Sequence, residues 1–280
     1  MKLYPFTFEQ NLKTLVWGTE EWTVSTVKGS ESIIANGPLK GQKLTDVVGE
    51  LPLLTKIIDA HKDLSVQVHP NDEMARREHN KLGKSEMWYI LDAKQGAYLY
   101  SGFKSQITPE EYKERVSNDT ITEVLAKHIV KPGDIFYIPA GRVHAICGGI
   151  KLAEIQQSSD VTYRIYDYNR PGLDGKPREL HTELASKAID YKVEENYKTL
   201  GSEIKTKFFY VRKVEVTEPT NRDNDSFVII TPIEGNCLIR TLDTEVEVKQ
   251  ETSCFIPKEI TQYEILPSSI KTTILEVTCK

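Results

Sequence analysis

Gly133-Asp134-Ile135-Phe136-Tyr137-Ile138-Pro139-Ala140-Gly141-Arg142-Val143-His144 is the stretch whose reading decides the fold. Lys131-Pro132-Gly133-Asp134 is a turn signal, and Ile135–Ile138 is a short β-branched and aromatic run. Pro139 ends that run, Gly141 marks the next turn, and His144 opens another strand facing inward. The same rhythm extends to both sides. Leu64-Ser65-Val66-Gln67-Val68-His69 alternates aliphatic and polar positions, as a half-buried strand must. Met87–Leu91 runs to the turn residues Lys94-Gln95-Gly96, and Ala97–Tyr100 resumes, which predicts a hairpin. Gly148-Gly149 precedes a further strand, Ile150–Ile155. From Phe208 the pattern restarts in Phe227–Ile230, Asn236–Ile239, Val246–Val248 and Thr273–Val277. So many short strands separated by turns predict an all-β-dominated sandwich or barrel.

Helix signals are few. Thr108-Pro109-Glu110-Glu111 offers an N-cap, a proline at the first helical position and acidic residues in the first turn. A second helix is predicted from Asn118-Asp119-Thr120 to His128, so that about 105–130 forms a small helical insertion. Another is predicted from Thr182 to Ile189, whereas 169–177 and the polar stretch 70–85 read as loops. Phe136-Tyr137-Ile138-Pro139 is echoed by Cys254-Phe255-Ile256-Pro257. We read this as two copies of one sandwich module, 1–205 with the insertion and 206–280 without it.

A chain of 280 residues has room for two such domains. Its net charge of −5, with no basic blocks, excludes a nucleic-acid binder that works by phosphate neutralisation. No apolar run approaches the ~18–20 residues that span a bilayer, and Met1–Trp22 has no signal-peptide pattern. Cys147, Cys237, Cys254 and Cys279 lie far apart with no CxxC spacing. They read as small buried hydrophobes in a chain of the reducing cytoplasm.

The spacing Gly133-x5-Pro139-x-Gly141-x2-His144 resembles the second motif of the cupin superfamily, whose histidine ligates a metal. The resemblance implies two jelly-roll modules and points to Gln67-Val68-His69 as the first motif. Residues i and i+2 of a strand share a face, so the Gln67 Oε1 and His69 can reach one ion, with Glu86 as the carboxylate. A lone histidine is usually a satisfied or exposed residue, and His61, His79 and His128 get that reading. The combination of Gln67, His69, Glu86 and His144 on a β-rich chain is much more specific. Two imidazoles, a carboxylate and an amide oxygen suit Zn, Fe, Mn, Ni or Co, and an open position makes such a site catalytic. The second module cannot hold the same set. No histidine follows His181, and counting from the shared proline puts Gln262 where the first module has His144.

A closer resemblance covers nearly the whole chain. Leu51–Ala60 with Leu64–Asp72, Gly83-Lys84-Ser85-Glu86-Met87-Trp88-Tyr89, Pro139–Ala145, Glu154–Asp167 and Ala35–Gly41 resemble type I mannose-6-phosphate isomerase in its short bacterial form. The resemblance implies one zinc ion per chain on Gln67, His69, Glu86 and His144, with Arg164 and Lys84 as active-site cations. It implies interconversion of mannose 6-phosphate and fructose 6-phosphate through a cis-enediol. Longer members carry a His-Lys-Pro-Glu run where this chain has Gly83-Lys84-Ser85-Glu86, so that histidine is absent here. Arg164 keeps its proton and suits charge stabilisation, while Lys84 shares a face with Glu86 and can exchange a proton. Without the resemblance, Lys84 reads as a solvated turn residue and Arg164 as an ion-pair partner of Asp160 or Asp167. The expected partner is a small phosphosugar, with no nucleic acid and no membrane. The oligomeric state is left open. A non-catalytic sugar-binding metal cupin is the main alternative, and an iron-dependent cupin oxygenase a weaker one.

Overall fold

Val66 and Val68 are fully buried, and the strand Val66–Val68 turns Gln67 to the opposite face. This alternation is the plan of the first half of the chain. The computed structural model describes residues 2–279, and among these the strands form four sheets. A large seven-stranded sheet has the order Leu12–Leu15, Gly18–Val24, Leu53–Ala60, Ile150–Gln157, Glu86–Ala93, Ile135–Ile138, Lys198–Thr199. A small five-stranded sheet has the order Tyr163–Tyr166, Val66–Val68, His144–Ile146, Tyr98–Phe103, Leu125–Ile129. Ile58, Trp88, Ile90, Leu99, Phe136, Ile138, Ile146 and Leu152 form one apolar cluster, drawn from both of these sheets. Such a two-sheet core is the sandwich that the strand pattern predicts.

The outer face of the small sheet is covered by helices. Val66, Val68, Val143, Ala145, Tyr163 and Ile165 cluster with Tyr112 and Val116 from the helix Pro109–Ser117 and with Ala185 from the helix Thr182–Ala188. Thr108 caps the first of these, accepting from the Glu111 amide at 3.2 Å, with Pro109 inside the first turn. Burying a side chain such as Val116 stabilises this packing by about 1.5–3 kcal/mol.

Three local expectations are corrected. The run through Lys94-Gln95-Gly96 is not a hairpin: Glu86–Ala93 lies in the large sheet and Tyr98–Phe103 in the small one. The turn, with Gly96 at φ +78°, carries the chain across the sandwich. The helix expected to reach His128 stops as a 3-10 turn, Ile121–Val124, and Leu125–Ile129 pairs as a strand with Tyr98–Phe103. Edge pairing overrides the helix propensity of Ala126 and Lys127. The stretch 70–85 contains the helix Asp72–His79, capped by the Asn71 side chain accepting from Met74 N at 2.9 Å.

The chain divides into two units: 12–21 with 56–199, and 1–11 with 22–55 and 200–280. The second unit draws on early segments that the sequence reading assigned to the first module. Its sheets are Glu203–Lys205, Tyr210–Val216, Thr272–Thr278, Val228–Glu234, Cys254–Ile256 and Thr220–Asp223, Gln262–Pro267, Cys237–Arg240, Glu245–Val248.

Candidate metal centre

Strand register assembles the site. On the small sheet Arg164 lies opposite Gln67, Gln67 opposite His144, and His144 opposite Ser101, one row across four strands. Directly opposed residues of antiparallel strands project to the same side. On the large sheet Gln156, Glu86 and Ile138 form a second row, and Glu154, Trp88 and Phe136 a third. His69 follows its strand, held where Gly141 donates to its carbonyl at 2.9 Å. Gly141 has φ +92°, a left-handed conformation that favours glycine, so this turn fastens the two histidine-bearing segments together.

The result is a buried cluster. His69, Glu86 and His144 each bring one donor atom within 4.8 Å of the others. Glu86 Oε2 lies 3.5 Å from His69 Nε2, and Glu86 Oε1 lies 3.4 Å from His144 Nε2. Each imidazole is oriented by its other nitrogen. His69 Nδ1 meets the Val161 carbonyl at 2.9 Å, and His144 Nδ1 meets the Arg142 carbonyl at 2.8 Å. A carbonyl only accepts, so each Nδ1 carries the hydrogen and each Nε2 keeps a lone pair toward the centre. Burial, followed by the Lys84 charge, holds His69 well below the ordinary histidine value. Burial holds His144 down to about 3. Both rings are therefore neutral donors near pH 7. Gln67 adjoins them, its Nε2 3.3 Å from His144 Nε2. Its amide must turn over to present Oε1, which is the orientation expected from the sequence.

The cations sit close by. Lys84 is buried, with Nζ 2.6 Å from Glu86 Oε2 and 3.1 Å from His69 Nε2. It is therefore no solvated turn residue. Arg164 donates through its guanidinium to the Glu179 carbonyl at 2.8 Å. Asp160 is paired with Lys81, and Asp167 with Arg170 and Arg178, so the ion pairs considered for Arg164 are made by other residues.

Two residues escaped the sequence reading. Lys56 and Glu154 form a buried pair at 3.0 Å, with Glu20 3.4 Å from Lys56, Trp88 Nε1 donating to Glu154 at 3.0 Å, and Lys84 3.9 Å from Glu154. The available signal was a charged residue at an inward position of an otherwise apolar strand. Burial and the Glu154 charge raise the Glu86 carboxyl above its ordinary value. Against the cost of burial, Lys56 and Lys84 hold Glu154 below its own. Four histidines remain: His61 is exposed beside Asp59, His79 bonds the Tyr163 hydroxyl, His128 bonds the Ser101 carbonyl, and His181 Nδ1 accepts from the Arg164 amide at 3.1 Å.

The second unit has the strands without the ligands. Val228 lies opposite Ile256 as Glu86 lies opposite Ile138. Gln262 is exposed and donates to Asp223 at 3.0 Å.

These features agree with what the chain is similar to. Residues 19–123 match the family model of the phosphomannose isomerase type I catalytic domain, and residues 201–270 that of the mannose-6-phosphate isomerase cupin domain. The mannose-6-phosphate isomerase ManA of Bacillus subtilis is 39% identical over 68% of this chain and 69% of its own length. A mannose-6-phosphate isomerase of Streptococcus mutans is 40% identical over 59% of this chain and 55% of its own. The crystal structure of the mannose 6-phosphate isomerase from Bacillus subtilis superposes with a TM-score of 0.89 at 28% identity, over 98% of this chain and 99% of that one. A zinc-bound mannose 6-phosphate isomerase, 15% identical over 99% of this chain and all of its own, shares the fold with a TM-score of 0.75. The chain belongs to the type I mannose-6-phosphate isomerase family, a family of isomerases on the cupin fold.

Proposed function

We propose that this chain interconverts D-mannose 6-phosphate and D-fructose 6-phosphate through a cis-enediol, with one zinc ion held by Gln67, His69, Glu86 and His144. The observation that carries the reading is the convergence, within 4.8 Å, of two imidazoles and one carboxylate, both rings aimed by Nδ1 bonds to backbone carbonyls. Glu86 is fully buried, its Oε2 is held by the Lys84 ammonium at 2.6 Å, and its Oε1 has no hydrogen bond, which fits a carboxylate with an oxygen to give a cation. Neutral imidazoles, a carboxylate and an amide suit zinc, and the ion when bound supplies a Lewis acid for the sugar oxygens.

The protein's own groups then divide the work. Lys84 is the buried amine group beside the centre, and in its neutral form it takes the C2 proton of the open-chain aldose, becoming the ammonium, and delivers that proton at C1. Arg164 keeps its charge and stabilises negative charge on the enediolate or the phosphate. Glu154 and Lys56 are positioning residues, fixing the field around Lys84 and Glu86 from behind. We place this chemistry in the unit formed by 12–21 and 56–199, and the protein in the cytoplasm, where free Cys147, Cys237, Cys254 and Cys279 stay reduced.

The test is a coupled assay of purified protein with mannose 6-phosphate, before and after chelation. Turnover that chelation abolishes and zinc restores is expected. Binding of the sugar without turnover in zinc-loaded protein would overturn the reading in favour of a non-catalytic cupin.

A further inference from the structure

Tyr163–Tyr166 is an edge strand of the small sheet, and Arg164 turns both of its backbone groups to the open side of that edge. His181 meets both. Its amide donates to the Arg164 carbonyl at 2.7 Å, and its Nδ1 accepts from the Arg164 amide at 3.1 Å. Two residues earlier, the Glu179 carbonyl accepts from the Arg164 guanidinium at 2.8 Å. The segment 179–181 thus holds Arg164 at its backbone and at its charged end. A backbone N–H only donates, so His181 Nδ1 must present a lone pair, and the ring hydrogen sits on Nε2. His181 stands at the N-cap of the helix Thr182–Ala188, yet its side chain makes no capping bond there. Its Nδ1 is committed to Arg164 instead.

We propose that His181 is a positioning residue for Arg164 and serves it only as a neutral imidazole. The inference rests on the reading of Arg164 as an active-site cation. A proton on Nδ1 sets one N–H against another at 3.1 Å, removes the acceptor of the Arg164 amide and adds a positive charge beside the guanidinium. The ring or the strand must then give way, and Arg164 is displaced from the row it shares with Gln67 and His144. The ionisable groups around the ring are Arg164 and Tyr163 on the strand, His79 on the helix Asp72–His79, and Glu179 in its own segment. The Tyr163 hydroxyl is already bonded to His79 at 2.9 Å. Burial, opposed by Glu179 and reinforced by Arg164 and His79, holds His181 below the ordinary histidine value. The change from acceptor to donor therefore falls on the acid side of about pH 6.5. A guanidinium keeps its charge there, so His181 gives Arg164 a pH dependence it lacks by itself.

The experiment measures kcat/KM for mannose 6-phosphate from pH 7.5 down to about pH 5, in zinc-loaded wild type, His181→Asn and His181→Ala, with zinc content followed at each pH. An asparagine Oδ1 stands as many bonds from the backbone as Nδ1, accepts the same hydrogen bond and does not titrate. His181→Asn should match wild type at pH 7.5 and overtake it steadily as pH falls. His181→Ala should lose roughly tenfold to a hundredfold at pH 7.5 with zinc retained, and should likewise lack the His181 part of the acid limb. Acid loss from other groups is common to all three proteins and cancels in their ratios. A wild-type to His181→Asn ratio that stays constant with pH, or His181→Ala at the wild-type rate, would overturn the assignment. Nitrogen NMR of labelled wild type supplies a readout independent of how the variants fold: His181 Nδ1 should be unprotonated at pH 7.5, and a proton there refutes the proposal. Turnover by wild type tests the isomerase reading separately, and undiminished turnover by Arg164→Lys would remove the role of Arg164 and that of His181 with it. A constant ratio alongside an impaired Arg164→Lys removes His181 alone.

Discussion

Acidifying the metal-free protein should destabilise it through His144, and the size of the effect follows from its burial. His144 is fully buried and its value is pushed down to about 3, chiefly by loss of solvent. In the unfolded chain it titrates near 6.5. A group whose folded value is depressed contributes stability above the unfolded value, and that contribution is lost as pH falls. Between pH 6.5 and about 3 the unfolded state binds a proton that the folded state refuses. At pH 5 the gap is about 1.5 pH units below the unfolded value, which is about 2 kcal/mol for this one residue. His69 pushes in the same direction and Glu86, raised by burial, in the opposite one. The pH dependence of wild type alone therefore does not isolate His144, but the difference from His144→Gln does. Urea unfolding in chelator at pH 7.5, 6 and 5 gives ΔG at each pH for both proteins. Wild type should lose about 2 kcal/mol more than the variant between pH 7.5 and 5. Equal losses would mean that His144 accepts a proton inside the folded protein, and the neutral-donor argument for the site would fall with it.

The Lys56–Glu154 pair predicts a non-additive cycle. Lys56→Met leaves Glu154 buried near Glu86 without its nearest cation and should cost about 3–5 kcal/mol in the metal-free protein, most of it recovered in Lys56→Met/Glu154→Gln. Additive costs would show that the charges do not interact. Elemental analysis should find about one zinc per chain, lost in His144→Ala, because four protein donors with one open position make a single site. Two tightly held ions would refute that set. Arg164→Lys and Lys84→Met should both lose most turnover while retaining zinc, and Lys84→Met should also slow exchange of the C2 proton with deuterated solvent. Normal isomerisation by Lys84→Met would move the proton-transfer role elsewhere in the pocket.

Side-chain alternation carries far in this chain, and connectivity does not. Gln67 and His69 were legible because Val66 and Val68 flank them with buried apolar side chains. His144 was legible through the Pro139–Gly141 turn before it. Lys94-Gln95-Gly96 has the residues of any tight turn, and nothing local says whether the next strand pairs with the last or crosses to the facing sheet. Ala126, Lys127 and His128 look helical locally, and only pairing with Tyr98–Tyr100 makes them a strand. The helix Asp72–His79 lacks a long apolar stripe: Met74 and Ala75 are its buried residues, so its polar composition reads as loop despite a good cap at Asn71. Lys56 and Glu154 are meaningful only as a pair, and their partnership is a tertiary fact. The sequence exposes which face a residue takes more readily than which neighbour it meets there.

The second unit shows what the fold supplies apart from the metal. Glu276 lies two positions from Thr278, the partner of Val228, as Glu154 lies two positions from Gln156, the partner of Glu86. Glu276 is buried like Glu154, and it is paired with Arg212 at 2.8 Å and Arg222 at 3.4 Å. Arg212 is its direct cross-strand neighbour within one sheet, and Arg222 belongs to the facing sheet. A carboxylate–guanidinium contact thus joins the two sheets of this unit, in the role that a metal held by Glu86, Gln67 and His144 would have in the other. The count from the shared proline to Gln262 finds the right strand and the wrong face. Gln262 is exposed, and the next residue, Tyr263, is the buried one that joins the core with Ile265. Because side chains alternate, one additional residue after Pro257 moves an outward position to where an inward one is expected. A histidine at 262 would face solvent. Rebuilding a ligand set here requires inward donors at both 263 and 228, with Glu276 released from its arginines, which is why the same strands can hold a metal centre in one unit and an ion-pair network in the other.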